Sequence, residues 1–163
     1  MEYPVQFSGG GHMTERLDRP DRSGSARSRL RRAHEALYRV TGGRVGHHVP
    51  GRPPMLLLYH VGAKSGKRRI SGLTYMPYDG GFVVVGSNGG DSRNPGWVYN
   101  LRAFPDAEIR AGPEKIKVHA REPGDGERQR LWAEAARYHP AWGRFQQRTP
   151  RALPMVILMP RHG

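Results

Sequence analysis

Beyond residue 53 the apolar positions come in short blocks, and the blocks have the length of strands. Met55–Val61 is an apolar run preceded by Pro53-Pro54 and closed by Gly62. Phe82–Gly86 is a second buried-type run, and Asp79-Gly80-Gly81 before it is a strong hairpin signal. This pattern pairs a weaker strand, Arg69–Met76 ended by Pro77, antiparallel with Phe82–Ser87. Farther on, Ile116, Val118 and Ala120 alternate with Lys115, Lys117, His119 and Arg121. That period of two predicts a strand, Lys115–Arg121, with one wet and basic face. It forms a hairpin with Ala107–Arg110 around Gly112-Pro113, and Pro154–Pro160 is a last buried strand.

Helical spacing governs the segments between. Asn94 is the expected N-cap and Pro95 the first helical residue of a short helix reaching Phe104. Asp125 is expected to cap a helix from Glu127 to about Tyr138, with Leu131, Trp132, Ala135 and Ala136 inward. A further short helix covers Ala141–Arg148. Upstream, Leu30, Ala33, Leu37 and Val40 recur at helical intervals before Gly42-Gly43. The strands outnumber the helices and are joined by hairpins instead of repeated helical crossovers. The predicted fold class is therefore mainly β (α+β): a small, partly open antiparallel barrel with helices packed outside. A doubly wound nucleotide-binding fold is excluded.

At 163 residues the chain accommodates one domain, expected at 30–163. Residues 1–12, with a glycine triplet before His12-Met13, read as an expression-tag remnant, and 13–29 as a disordered polar segment. Charge is more informative than size. Twenty-seven Lys and Arg against 14 Asp and Glu leave a net +13, the balance of a protein that meets polyanions. With no cysteine, disulfide scaffolds, thiol catalysis and cysteine-ligated metal are excluded. No apolar run approaches the ~20 residues of a membrane-spanning helix. No signal peptide is recognised, so a cytoplasmic location is expected. The helix Leu30–Val40, flanked by Arg27, Arg29, Arg31, Arg32 and Arg39, suits either reversible attachment to an anionic membrane surface or packing on the body with solvated arginines.

Three segments carry candidate chemistry. Gly62-Ala63-Lys64-Ser65-Gly66-Lys67-Arg68-Arg69 joins two strands, and its glycines let amides turn toward one anion while the side chains add positive charge. Its spacing is not that of a nucleotide-binding P-loop. A plain basic turn with solvated charges is the alternative. Ser87-Asn88-Gly89-Gly90 leaves a buried strand and leads through Asn94-Pro95 into a helix carrying Trp97, a place where a flat ligand can approach the backbone. The alternative there is a loop and nothing more. His139, Trp142 and Phe145, three apart, share one side of a helical turn and roof a planar substrate, unless the stripe is core. The scattered histidines predict no metal site, and no nucleophile elbow is present.

In order along the chain, LLLYHVGAKSGKRR, LTYMP, FVVVGSNGG, NPGWVYNL, ERQRLW and PMVILMP resemble the actinobacterial deazaflavin-dependent nitroreductase family, also described as quinone reductases using reduced coenzyme F-420. The resemblance covers Met55 to Pro160. It implies a split β-barrel that binds coenzyme F-420, an 8-hydroxy-5-deazaflavin whose tail carries a phosphate and an oligoglutamate, and passes hydride to a quinone or nitroaromatic acceptor. Such a tail accounts for the net positive charge without nucleic acid. Carried over by position, Lys64, Ser65, Gly66 and Arg69 form the phosphate and tail cradle, with Lys67 added. Ser87, Asn88, Gly89 and Gly90 lie along the ring and ribityl chain, joined by Trp97 and Asn100. Ser87 is the candidate proton donor, and His139, Trp142 and Phe145 stand over the substrate. The chain departs from the pattern where Ala63 replaces an Arg, Gly72 replaces a Pro, and those three aromatic positions replace tyrosines.

Two other readings remain open on the residues alone. One is a nucleic-acid-binding module built on Lys115, Lys117 and Arg121, supported by charge alone. The other is a flavin mononucleotide oxidoreductase on a similar barrel.

Overall fold

The computed structural model describes residues 53–161. The tag remnant, the polar segment and the helix Leu30–Val40 expected from sequence lie outside the described residues. Six antiparallel strands close into a barrel in the order β1-β2-β3-β6-β5-β4. They are β1 Met55–Val61, β2 Arg68–Tyr78, β3 Gly81–Val85, β4 Asp106–Ala111, β5 Glu114–Arg121 and β6 Met155–Pro160. Three helices, α1 Gly96–Ala103, α2 Asp125–Tyr138 and α3 Pro140–Gln146, pack on this barrel, and a 3-10 turn covers Asn88–Gly90.

Two layers of packing explain the unbroken apolar runs. Leu56 and Leu58 of β1, Val84 of β3, Val118 of β5, and Val156 and Leu158 of β6 point into the barrel. Val83, Val85, Met155 and Ile157 point outward and are covered by Leu131 and Ala135 of α2 and Trp142 of α3. Alternate residues of β3 and β6 are thus buried on opposite faces, so neither strand shows polar alternation. Each such fully buried side chain contributes roughly 1.5–3 kcal/mol. On β5 the outer face has no helical cover, and Lys115, Lys117, His119 and Arg121 are exposed as the period predicts.

Boundaries differ from expectation in ways that local chemistry explains. The β2 strand runs through Pro77 to Tyr78, because β1 pairs with it only as far as Thr74 and Pro77 faces β3 alone. The missing amide therefore breaks no ladder. Asp79 and Gly80 both take positive φ, the signature of a type I′ hairpin. Pro95, not Asn94, is the N-cap of α1, because Asn94 directs its side chain to Arg151. Gly124 precedes α2 and leaves Asp125 inside it, while Trp132 and Ala136 are half-buried beside the fully buried Leu131 and Ala135. The last helix begins one residue early, at Pro140, and ends at Gln146.

Outside the barrel, α2 is tied down by Glu127. Its carboxylate accepts two hydrogen bonds from Arg121, at 2.7 and 2.8 Å, and one from the Tyr78 hydroxyl at 3.2 Å. Inside, Trp97, Val98 and Leu101 of α1 join the inner apolar cluster and close one mouth of the barrel. That mouth carries the site.

Candidate functional site

A cleft of about 1260 Å³ opens where the loop after β1, the middle of β2, the loop after β3, and helices α1 and α3 meet. Its volume is ample for a large planar ligand. Its wall includes a cationic group, Lys64, Ser65 and Arg69, and an aromatic group, His139, Trp142 and Phe145. Ser87, Asn88, Gly89, Trp97 and Asn100 line it as well. Gly66, Lys67 and Gly90 are not on the cleft wall.

The cationic group is shaped by backbone. Gly62 donates to the Lys67 carbonyl at 2.9 Å and Gly66 to the Gly62 carbonyl at 2.8 Å, which closes a tight turn with Gly66 at φ +63°. A Cβ on Gly62 would lie 2.5 Å from Ser65 Oγ and 2.9 Å from Arg69 Nε. Glycine there is what lets the serine and the guanidinium fold over the same spot. Lys67 takes part through its backbone, its amide facing Ser65 Oγ at 3.3 Å.

The loop after β3 is held from behind. Asn88, Gly89 and Gly90 all have positive φ, at 46°, 68° and 86°. Ser87 before them is right-handed, and a right-to-left sequence of this kind turns successive amides toward a common side. Gly90 lies against α3, where a Cβ would meet the Phe145 carbonyl oxygen at 2.9 Å. Its role is close packing of loop on helix, so it supports the wall from outside. Arg151, just before β6, donates to the carbonyls of Asp91 at 2.8 Å, Ser87 at 2.9 Å and Gly86 at 3.2 Å, and to Asn94 Oδ1 at 2.6 Å.

In the aromatic group Trp142 is buried in the outer cluster and also borders the cleft. The His139 ring packs edge-on against it with centroids 5.0 Å apart. Burial, then the nearby Arg144, push the His139 imidazole below its ordinary value. Trp142 therefore belongs to the core and to the cleft wall at once.

Asn100 is committed on both sides of its amide. Its Oδ1 accepts from the Ala63 amide at 2.8 Å and its Nδ2 lies 2.9 Å from His60 Nδ1. His60 Nε2 is 3.0 Å from Ser71 Oγ. Burial, then Arg69, push the His60 ring below its ordinary value, so it is neutral. Sequence reasoning missed His60, Ser71 and Arg151. For His60 a signal existed, since it follows Leu56 and Leu58 at a spacing of two and so faces inward.

A closed antiparallel barrel with helices packed outside it and a cleft of basic and aromatic side chains at its mouth is a split-barrel architecture. The family model for F420H(2)-dependent quinone reductases matches residues 30–160. An F420H(2)-dependent quinone reductase of Mycobacterium tuberculosis is 44% identical over 139 residues, covering 81% of this chain and 91% of the relative. The solved structure of an F420-H2 dependent reductase superposes with a TM-score of 0.59 at 34% identity, covering 68% of this chain and 97% of that one. A second solved structure, described only as a domain-swapped dimer, gives a TM-score of 0.61 at 31% identity, with 82% of this chain and 98% of that one covered. The chain belongs to the F420H(2)-dependent quinone reductase family.

Proposed function

We propose that this protein is an oxidoreductase that takes hydride from reduced coenzyme F-420 and delivers it to a quinone held in the same cleft, a nitroaromatic compound being the alternative acceptor. The observation that carries this reading is that one cleft is lined both by a cationic group, Lys64, Ser65 and Arg69, and by an aromatic group, His139, Trp142 and Phe145. An anionic tail fits the cationic group and a flat acceptor the aromatic one, so the residues suit the coenzyme and its partner in the reaction. Bound there in reduced form, it supplies a hydride, because ring carbon in place of the reactive flavin nitrogen favours two-electron chemistry.

The chain's own residues bind, orient and exclude water. Lys64, Ser65 and Arg69 hold phosphate or carboxylate through charge-assisted hydrogen bonds, with Gly66 and Lys67 shaping the turn. Ser87, Asn88 and Gly89 border the ring, Gly90 seats their loop, and Trp97 closes the floor. Asn100 borders the cleft, but its amide is spent on Ala63 and His60 and serves to hold the wall together. His139, Trp142 and Phe145 roof the acceptor and keep solvent from it. The Ser87 hydroxyl, half-buried on the wall, is the candidate donor of the proton that accompanies hydride.

The test is anaerobic mixing of protein, reduced coenzyme and menadione while the oxidised coenzyme's absorbance is followed. A saturable, protein-dependent rate is expected. No such rate with any quinone or nitro compound would overturn the reading. Titration with deazaflavin, flavin mononucleotide and a DNA duplex at two salt concentrations separates the other readings, since duplex binding falls steeply with salt. Because quinones partition into bilayers, we further propose a cytoplasmic protein in reversible contact with anionic membrane through the arginines around Leu30–Val40. Among the described residues no helix is long and apolar enough to cross a membrane. Sedimentation with anionic vesicles should lose most of its yield when the chain starts at Thr41; equal yields would remove the helix as anchor.

A further inference from the structure

Ser71 lies on β2 opposite Leu58, and Arg69 opposite His60, so all four side chains share the inward face of the barrel mouth. Ser71 is half-buried and borders the cleft. Behind it runs a chain of hydrogen bonds with a fixed direction. The Ala63 amide can only donate, so it must face the oxygen of Asn100. That turns the Asn100 amino group, also only a donor, toward His60 Nδ1. Nδ1 is therefore the ring's acceptor, the proton sits on Nε2, and Nε2–H donates to Ser71 Oγ. A hydroxyl holds one proton. With its lone pair engaged by His60 and no acceptor for that proton among the described residues, Ser71 has it to give to the cleft.

We infer that Ser71 is a coenzyme-binding residue that donates its hydroxyl proton to a carbonyl or anionic oxygen of the deazaflavin coenzyme beside Arg69, and that His60 and Asn100 are positioning residues that set this polarity. The inference rests on the proposed function, because the occupant of the cleft is the coenzyme. In the opposite tautomer Nε2 would accept, and the serine would spend its proton on the ring. Because Asn100 also holds the Ala63 amide, the same side chain ties the turn carrying Lys64 and Ser65 to the wall carrying Ser71.

Asn100→Asp tests the polarity with little change of shape. A carboxylate still accepts from Ala63 but offers His60 an acceptor where a donor stood. Nitrogen-15 NMR of the wild-type imidazole should show Nε2–H with Nδ1 bare, and the Asp variant at about pH 8.5 should show Nδ1–H. Binding of oxidised coenzyme should weaken about tenfold in Ser71→Ala and by a similar factor in Asn100→Asp, with the double variant no worse than either single one. Ser71→Ala removes one oxygen from a half-buried position, so it reports even if the Asp variant does not fold. An Nδ1–H tautomer in the wild type, or equal affinity of wild type and Ser71→Ala, would overturn the inference and leave the proposed function standing. A wild type that binds no coenzyme would overturn both.

Discussion

The guanidinium of Arg151 donates to the side chain of Asn94 at 2.6 Å, joining the segment before β6 to the residue before the N-cap of α1. The same guanidinium collects the carbonyls of Gly86, Ser87 and Asp91. A run of left-handed residues, 88–90, thus sits between fixed ends, and one cation fixes them. Loops that border ligands are often mobile, and this one is held on the side away from the cleft.

Arg151→Ala should therefore destabilise the fold by about 1.5–3 kcal/mol, since several carbonyls lose a charged donor together. Arg151→Lys should recover only part of this, because an ammonium cannot span acceptors arranged for a planar fork. Urea unfolding midpoints of the three proteins check the order. If Lys restores full stability, the fork geometry is irrelevant.

The cationic group makes a separate forecast. Lys64→Ala and Arg69→Ala should each weaken coenzyme binding by about 1–3 kcal/mol, and raising salt should narrow the gap to wild type. Calorimetry with full coenzyme and with coenzyme stripped of its glutamates separates the contacts. A residue on the phosphate loses equally with both; one on the glutamates loses less with the stripped form. Unchanged affinity in both variants would make this loop a basic turn and nothing more.

Much of this was legible in the sequence, for a physical reason in each case. The buried runs of β3 and β6 announce strands because both faces are covered, and Asp79-Gly80 announces a hairpin because both residues tolerate positive φ. Pro77 misled because an edge position with no partner on one side cannot be read from composition. Trp142 looked like either core or roof and is on both surfaces, since a short helix over an open barrel mouth has packing and cleft within one ring's width. Arg151 left no signal. Its acceptors are mostly main-chain carbonyls, which every residue has, and β3–β6 pairing is what brings them within reach.

Two pH windows follow from the depressed titrations. His60 is held below its ordinary 6.5, so below that pH the unfolded chain takes up a proton that the native ring refuses. Stability is full above pH 6.5 and falls as pH drops through the folded value, with a slope of at most about 1.4 kcal/mol per pH unit. His139 adds to the same window with the same sign. Glu127 is held down to about 2 by Arg121, so its contribution is full above 4.5 and disappears as pH falls toward 2. Denaturation midpoints should drop between about pH 7 and 5.5 in the wild type and less in His60→Gln. Glu127→Gln should keep that first drop and lose the acid one. A wild-type midpoint flat from pH 7 to about 5 would show that neither imidazole is held neutral by the fold.

Adjacent glycines in the loop offer a last and sharper contrast. Gly89 has φ +68° and nothing within 4 Å of where a Cβ would stand, so Gly89→Ala should lose only the left-handed penalty, about 1 kcal/mol. Gly90 has φ +86° and would drive its Cβ to 2.8 Å from Arg148 Cβ and 2.9 Å from the Phe145 carbonyl oxygen. Neither atom is the far end of a flexible chain, so Gly90→Ala must shift α3 or the loop. A loss clearly larger than that of Gly89→Ala is expected, about 2–3 kcal/mol. Because α3 carries Trp142 and Phe145, the shift also reaches the roof. Gly90→Ala should change tryptophan emission and weaken acceptor binding more than coenzyme binding, while Gly89→Ala leaves the emission as it was. Equal stability and equal emission in the two variants would show that Gly90 does not seat the loop on the helix.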